Sequence, residues 1–268
     1  EAKLRLIELL GQDGGCAVNA DEPAWSSEAF GSAQVLRYGF DATADVRAED
    51  PRFSAGGSEW DLVTPSGRSE VRLPLLGSFN ISNALAAAAA AHLLGLDATE
   101  IALGLSAAPQ VPGRMGVLVR RPALGVRDYA HTPDALERAL EALRPSIRGR
   151  LIVVFGCGGD RDAGKRPAMG RIGVEGSDYA VITSDNPRTE DPAAIIDDTI
   201  AGLQAGAWEA IVDRREAIRT ALEMAEANDG ILLAGKGHET YQEVGEERLP
   251  FDEAVVVADL LAQRERKR

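Results

Sequence analysis

Four polar stretches in the second half of this sequence each follow a run of apolar residues, and each carries side chains able to hold a charged ligand. LGVR leads into Asp128-Tyr129-Ala130-His131-Thr132-Pro133-Asp134, and LIVVF into GCGGDRDAGKRPAMG. AVITS leads into Asp185-Asn186-Pro187-Arg188, and ILLAG, ending at Gly235, into Lys236-Gly237-His238-Glu239. Any one of them has a plain explanation. Asp-Asn-Pro-Arg alone is a turn that caps a helix, Lys-Gly-His-Glu alone is a solvated loop, and His131 alone could serve local hydrogen bonds. Four such loops at one edge of one sheet would bring both signs of charge to a single rim, which suits a zwitterion.

Gly159-Asp160-Arg161-Asp162-Ala163-Gly164-Lys165-Arg166 has the G-x4-G-K spacing of a phosphate-binding loop. Arg166 stands where Ser or Thr would hold Mg²⁺, so the metal would lose a protein ligand and gain a cation as neighbour. Recognition of a carboxylate by the planar fork of Arg161 is the better chemical match. Arg188 offers a second fork, and Glu239 can accept from an ammonium. The plain alternative is a Gly-rich strand-to-helix turn whose basic residues face solvent. Cys157 has no base pattern near it and reads as packing. His92, on an alanine-rich helix, also reads as packing, and Lys3 in isolation is a solvated helix lysine.

These loops need a scaffold. From about Val117, the apolar segments VLV, LGVRDYA, LIVVFG, YAVITS, EAIV and GILLAG alternate with helical patterns at Asp134–Leu143, Pro192–Ala205, Arg214–Ala227 and Asp252–Arg264. The alternation predicts an α/β fold with a parallel sheet flanked by helices and ligands beyond the carboxyl ends of its strands. Residues 33–76 alternate in period two, which predicts antiparallel strands. Residues 78–108 hold two helices, the first ended by Gly95 and the second capped by Asp97 or Thr99. Ahead of them lie a helix, a Gly-rich turn and a strand at Cys16–Asn19. Ala108-Pro109-Gln110-Val111-Pro112-Gly113 marks the expected domain boundary, giving segments 1–110 and 111–268. The chain opens on EAKLRLIELL without an initiator Met or a helix cap, the pattern of a chain cut inside a helix and preceded by more protein.

The chain has 268 residues, of which 45% are hydrophobic and 26% charged, as in soluble globular proteins. A net charge of −13 argues against a nucleic-acid surface, although Arg161, Lys165 and Arg166 could form a local basic cluster. Two cysteines, Cys16 and Cys157, far apart in sequence, make a disulfide framework improbable and fit a reducing cytoplasm. No apolar run approaches a membrane span, and no signal peptide is visible.

GSFNISNALAA, GRM, DYAHTPDAL, VFGCGGDRDAGKRPAMG, SDNPRTEDP and AGKGHE, in this order over roughly Leu75–Gly245, resemble the motifs of the Mur ligases, and EAKLRL extends the likeness to the first residues. Within that family they are most similar to the branch that adds an amino acid to UDP-MurNAc-L-Ala-D-Glu. The resemblance implies a three-domain ligase that phosphorylates a peptide carboxylate with ATP and Mg²⁺, after which an amine attacks the acyl phosphate. It further implies that residues 1–110 are the second half of the central P-loop-type ATPase domain and 111–268 a Rossmann-like C-terminal domain. The family's Walker loop and UDP-sugar domain would then belong to a missing N-terminal part of the same polypeptide, and this piece alone would be inactive.

Carried over by position, Lys3 resembles the family lysine that becomes a carbamate and meets Mg²⁺, since a carbamate supplies the oxygen ligands an amine lacks. Asn80, Arg114 and Asp128 resemble contacts to adenine, phosphate and ribose, with His131 near the phosphates. Arg161, Asp185, Asn186, Pro187, Arg188, Gly235 and Glu239 resemble the pocket for the incoming amino acid. Asp-Asn-Pro-Arg is the variant associated with meso-diaminopimelate, whose distal carboxylate Arg188 could pair and which lysine lacks; lysine or ornithine remains open. Two other readings stand beside the ligase: a non-catalytic amino-acid-binding module, and a kinase-like NTPase using Gly159–Lys165.

Overall fold

Every residue of the strand Leu151–Phe155 is buried, as expected of a strand covered on both faces. In the computed structural model it lies inside a six-stranded sheet. The structure describes residues 9, 10, 14–25, 30 and 34–266. Lys3 and most of the expected opening helix lie outside the described residues. The chain forms two compact units, Glu1–Pro109 and Gln110–Arg268.

In the first unit, β1 (Gly15–Asn19), β2 (Gln34–Gly39), β3 (Val46–Ser54), β4 (Gly57–Thr64) and β5 (Gly67–Leu73) form one sheet in chain order. It is mixed, not antiparallel throughout as the alternation predicts. β2 runs parallel to both β1 and β3, and only the β3–β4–β5 meander is antiparallel. Period two reports a half-buried strand and carries no information on its neighbour's direction. Trp60, Leu62, Val71 and Val46 on the sheet pack with Ile81, Leu85 and Ala88 of helix α1 (Ser78–Leu93) and Ile101 of α2 (Ala98–Ser106). Gly95 follows the end of α1 at φ 95°. Asp97 caps α2 in a capping box with Glu100, satisfying backbone donors that the first turn leaves open.

The second unit carries β6 (Gly116–Val119), β7 (Leu124–Asp128), β8 (Leu151–Phe155), β9 (Tyr179–Thr183), β10 (Trp208–Ile211) and β11 (Gly230–Ala234) in the order β10-β9-β8-β11-β7-β6. All pairs are parallel except the edge pair β6–β7. Helices α3 (Pro133–Leu143), α4 (Arg166–Glu175), α5 (Pro192–Ile200), α6 (Arg214–Met224) and α7 (Glu253–Arg266) supply the cover. Ile152, Val154, Ile231 and Leu233 cluster with Ala217, Ile218, Val256 and Val257 of α6 and α7. Phe155 alternates to the other face, where a Cβ on Gly173 of α4 would overlap its ring.

Local chemistry starts each helix directly behind its loop. Thr132, Asp191 and Asp213 cap α3, α5 and α6 through their side-chain oxygens, and Pro133 and Pro192 occupy first-turn positions that need no N–H. A short hairpin, β12 (Tyr241–Val244) with β13 (Glu247–Pro250), adds an element outside the predicted alternation.

Candidate functional site

The chain reaches β8 and β9, then returns to lay β11 between β8 and β7. Ligands of open α/β sheets sit where strand order reverses in this way, beyond the carboxyl ends. The loops after β7, β8, β9 and β11 all leave from those ends.

Lys236, just after β11, is completely buried, so the solvated-loop explanation of Lys-Gly-His-Glu is set aside. Its Nζ lies 2.9 Å from Asn186 Oδ1, 3.3 Å from Glu239 Oε2 and 3.4 Å from Asp185 Oδ1. Asn186 Oδ1 also accepts from the backbone N–H of Glu243 at 3.0 Å, while its Nδ2 donates to Glu239 Oε2 at 3.0 Å. Two donors on one oxygen settle which end of the amide faces Glu239. Asp185, Asn186 and Pro187 are buried. Gly235 takes φ 117°, a conformation that side chains resist, and donates its N–H to Asp128 O at 3.0 Å.

Arg188 is half-buried and also left-handed, at φ 53°. Its N–H donates to Glu243 O at 3.0 Å, its Nη1 to Gly159 O at 2.7 Å, and its Nε stands 2.9 Å from Glu243 Oε2. The structure thus brings Asp185, Asn186, Pro187, Arg188, Gly235 and Glu239 into one cluster. Arg161, in the neighbouring loop, stays exposed and donates to the adjacent Asp160 carbonyl at 3.1 Å.

The loop with Walker-like spacing folds differently from an anion cradle. Asp162 Oδ1 accepts from Gly164 N–H at 2.9 Å, and Lys165 Nζ donates to His131 O at 2.7 Å. Arg166 is buried and committed to Glu190 and Asp198, each at distances of 2.8–2.9 Å. A free basic cluster of Arg161, Lys165 and Arg166 is therefore corrected: Arg166 belongs to the scaffold. Cys157 is buried beside this loop, and burial raises its thiol above the usual range, consistent with packing rather than nucleophilic chemistry.

A second group surrounds the end of β7. Asp128 Oδ2 accepts from Met115 N–H at 2.8 Å. Burial pushes its carboxyl above the ordinary range, while backbone N–H bonds from Met115 and Ala130 and the charge of Arg114 pull it back. The exposed Arg114 guanidinium lies 5.3 Å from the Tyr129 ring centroid. The His131 ring meets Tyr129 edge-on at 4.6 Å, and the His238 ring is 5.8 Å from Tyr129. His131 Nδ1 lies 2.7 Å from Tyr129 O. A carbonyl only accepts, so Nδ1 is the donor in this contact. Gly113, at φ 69°, lets this segment touch the Gly237–His238 backbone, where a Cβ would overlap. Asn80 belongs to the first unit, where its Nδ2 donates to Leu76 O at 2.7 Å.

Sequence reasoning named Lys236 within Lys-Gly-His-Glu without giving it a role, and it missed Gln242 and Glu243. Gln242 Nε2 donates to Asp185 O at 2.6 Å and Ser184 Oγ at 3.2 Å. The alternating stretch TYQEVGEERLP, with Gly245 at its turn, carried a hairpin signal. A lysine between two glycines carries no cue that it points inward.

With this geometry in place, comparison with known proteins becomes specific. Residues 1–91 match the Mur ligase middle domain, and residues 113–237 match the Mur ligase, glutamate ligase domain. The chain belongs to the Mur ligase family. It is 47% identical over 267 residues to the UDP-N-acetylmuramoyl-L-alanyl-D-glutamate--2,6-diaminopimelate ligase of Gloeobacter violaceus, covering 98% of this chain and 55% of that protein. The ligase of the same name from Synechocystis sp. is 43% identical over 270 residues, with 98% and 54% covered. A solved structure of a protein with this name superposes at TM-score 0.76 with 38% identity, covering 98% of this chain and 56% of that one. The chain thus spans about half the length of the curated relatives it matches. A folylpolyglutamate synthase of Mycobacterium tuberculosis, 22% identical at TM-score 0.58 over 76% of this chain and 47% of that one, shares the fold.

Proposed function

We propose that this chain carries the amino-acid-binding part, and a portion of the nucleotide-binding part, of a ligase that joins meso-diaminopimelate to UDP-MurNAc-L-Ala-D-Glu for peptidoglycan. In this reading 1–110 is the partial central domain, 111–268 is the C-terminal domain, and the remaining machinery lies in an N-terminal part of the same polypeptide acting in the cytoplasm. The observation that carries it is the cluster in which Asp185, Asn186, Arg188 and Glu239 sit within one hydrogen-bonded network at the sheet's switch point. Cationic donors and carboxylate acceptors side by side suit an amino acid that bears both signs at each end.

In the reaction this reading implies, ATP activates the dipeptide's carboxylate by phosphoryl transfer. The chain's own residues bind and orient. Asp128, fixed by backbone N–H groups, offers acceptor lone pairs suited to ribose hydroxyls, and Arg114 is proposed to contact phosphate; Asn80, on the first unit, is proposed by its position in the sequence as an adenine contact. His131, oriented by its Nδ1 contact with Tyr129 O, is proposed to lie near the phosphates. Arg161 and Arg188 hold carboxylates and Glu239 an ammonium. Among the described residues no group of three or more His, Cys, Asp or Glu is placed to hold a metal ion, so no step is assigned to Mg²⁺. The proposed Lys3 carbamate lies outside those residues. No described helix is long and apolar enough to cross a membrane.

The test is NMR titration of the 268-residue chain with meso-diaminopimelate, L-lysine, L-ornithine and ATP. Saturable shifts at the Asp185–Arg188 and Gly235–Glu239 amides with diaminopimelate, weaker with lysine and ornithine, support the reading. Tighter binding of lysine would transfer the assignment to that amino acid. Shifts at Gly159–Lys165 with ATP, lost in Lys165→Ala and kept in Asp128→Ala, would replace it with the NTPase reading.

A further inference from the structure

Arg188 is held from outside the Asp-Asn-Pro-Arg loop. Its backbone N–H donates to Glu243 O, its carbonyl accepts from Gly245 N–H at 2.7 Å, and its Nε meets Glu243 Oε2 at 2.9 Å. All three partners lie in the β12–β13 hairpin or its turn. Glu243 is in turn gripped through its other oxygen by Arg248, whose Nε and Nη2 lie 3.1 and 3.0 Å from Oε1. Arg248 itself stacks over the Tyr241 ring at 4.6 Å.

The bonds leave a definite remainder. A guanidinium carries five N–H donors. Glu243 takes the one on Nε, and Gly159 O takes one on Nη1 at 2.7 Å. Apart from these two acceptors, three N–H groups remain, one on Nη1 and two on the neighbouring Nη2. That pair of nitrogens is the edge suited to a bidentate carboxylate. Room at the Nη1 end is guarded by Gly158, where a Cβ would stand 3.1 Å from Nη1. Without the Nε bond, the planar head could rotate about its last torsions and present a different edge.

We propose that Glu243 is a specificity-determining positioning residue: its carboxylate, on the hairpin, locks the Arg188 guanidinium so that its Nη1–Nη2 edge receives a ligand's distal carboxylate. The inference rests on the amino-acid site proposed above and adds a residue to it. Glu243 acts through Arg188, without touching ligand. Its negative charge offsets that of Arg188, while Arg248 restores a net positive charge to the trio, so the orientation is kept without making the edge repel an anion. The outer pair contributes little, because Arg248 is two-thirds exposed.

The experiment measures dissociation constants of the 268-residue chain for meso-diaminopimelate and for L-lysine by NMR titration, which reads millimolar affinities. Four proteins are compared: unmodified chain, Arg188→Ala, Glu243→Leu and Glu243→Gln, each checked for an unchanged amide spectrum away from the hairpin. Glu243→Leu is expected to weaken diaminopimelate about tenfold and leave lysine within about twofold, since lysine offers no distal carboxylate. Glu243→Gln keeps an acceptor for Nε and is expected to stay within about threefold of the unmodified chain. Equal weakening of both ligands by Glu243→Leu makes the residue merely structural and overturns the proposal. So does unchanged or tighter diaminopimelate binding in that variant. If Arg188→Ala weakens diaminopimelate no more than lysine, or the unmodified chain does not bind diaminopimelate, the site reading itself falls and this inference with it.

Discussion

Lys236 Nζ stands 2.9 Å from Asn186 Oδ1, and together with the Glu243 N–H on the same oxygen this bond, from the loop after β11, sets the orientation of an amide in the loop after β9. Both residues are buried, and the lysine is completely so. A lysine enters such an interior only when its charge is matched, and Asp185 and Glu239 supply the match. Replacing it by Met strands two carboxylates beside each other. Lys236→Met should lower unfolding free energy by about 3–5 kcal/mol, as removal of one partner from a buried ion pair does. Urea denaturation measures this, and a loss under about 1 kcal/mol would mean that the cluster is solvated in the protein.

A second buried pair lies behind the site. Arg214 and Glu253 meet at 2.8 Å, and Arg214 also donates to Ala234 O at 2.9 Å and Ser184 O at 3.3 Å, the carbonyls that end two site strands. Among the described residues no protein donor reaches the buried Glu253 Oε2. Glu253→Gln should cost about 2–4 kcal/mol, and Arg214→Met about 3–5. The double change to Met and Leu should recover more than half of the larger loss. A double-mutant cycle in urea decides, and strict additivity would show that the two side chains do not depend on each other.

Asp128 shows the opposite sign. Its carboxyl is raised by burial, so the folded state holds the proton more tightly than the unfolded chain does. Its contribution is therefore most favourable below the unfolded value and is lost as pH rises through the folded one. Asp128→Asn keeps one oxygen for Met115 N–H and removes the buried charge. The variant should be as stable as the parent or more so at pH 7, with the advantage shrinking as pH falls through the carboxylate range. A melting temperature at pH 7 below that of the parent would contradict the burial argument.

Gly113 is the hinge point of contact between the segment before β6 and the Lys236 loop. Gly113→Ala meets both a left-handed φ of 69° and the Gly237–His238 backbone. Neither can yield cheaply. A loss of about 2 kcal/mol or more is expected, with amide shifts concentrated at Gly237 and His238. A neutral result would require the two segments to separate in solution.

The α/β alternation was legible because parallel strands buried on both faces read as short apolar runs and because Thr132, Asp191 and Asp213 announce their helices chemically. Strand direction in the first unit was not legible: β2 reads like the strands of the antiparallel β3–β4–β5 meander, yet it pairs parallel with both β1 and β3. The loops that build the site stood out by their polarity and position. Their internal wiring did not. Whether Lys236 turns inward, and whether Arg166 is a free cation or a buried strut between Glu190 and Asp198, depends on partners 24 to 51 positions away or across a single turn, separations that no local pattern encodes. Glu243 illustrates the limit best, since its significance arises only when the hairpin lies against Arg188.

Glu239 presents the same oxygen to two internal donors, an ammonium and an amide. A lysine of the protein thus already stands where such a carboxylate would attract a cation from solution, although with Asp185 and Glu239 both beside it the trio keeps one negative charge in excess. In the proposed site an arriving amine would share that anion with Lys236, so that recognition becomes a sharing between like charges and not the filling of a vacancy. Selectivity then falls on whatever else the newcomer can offer, which places the burden on its far end.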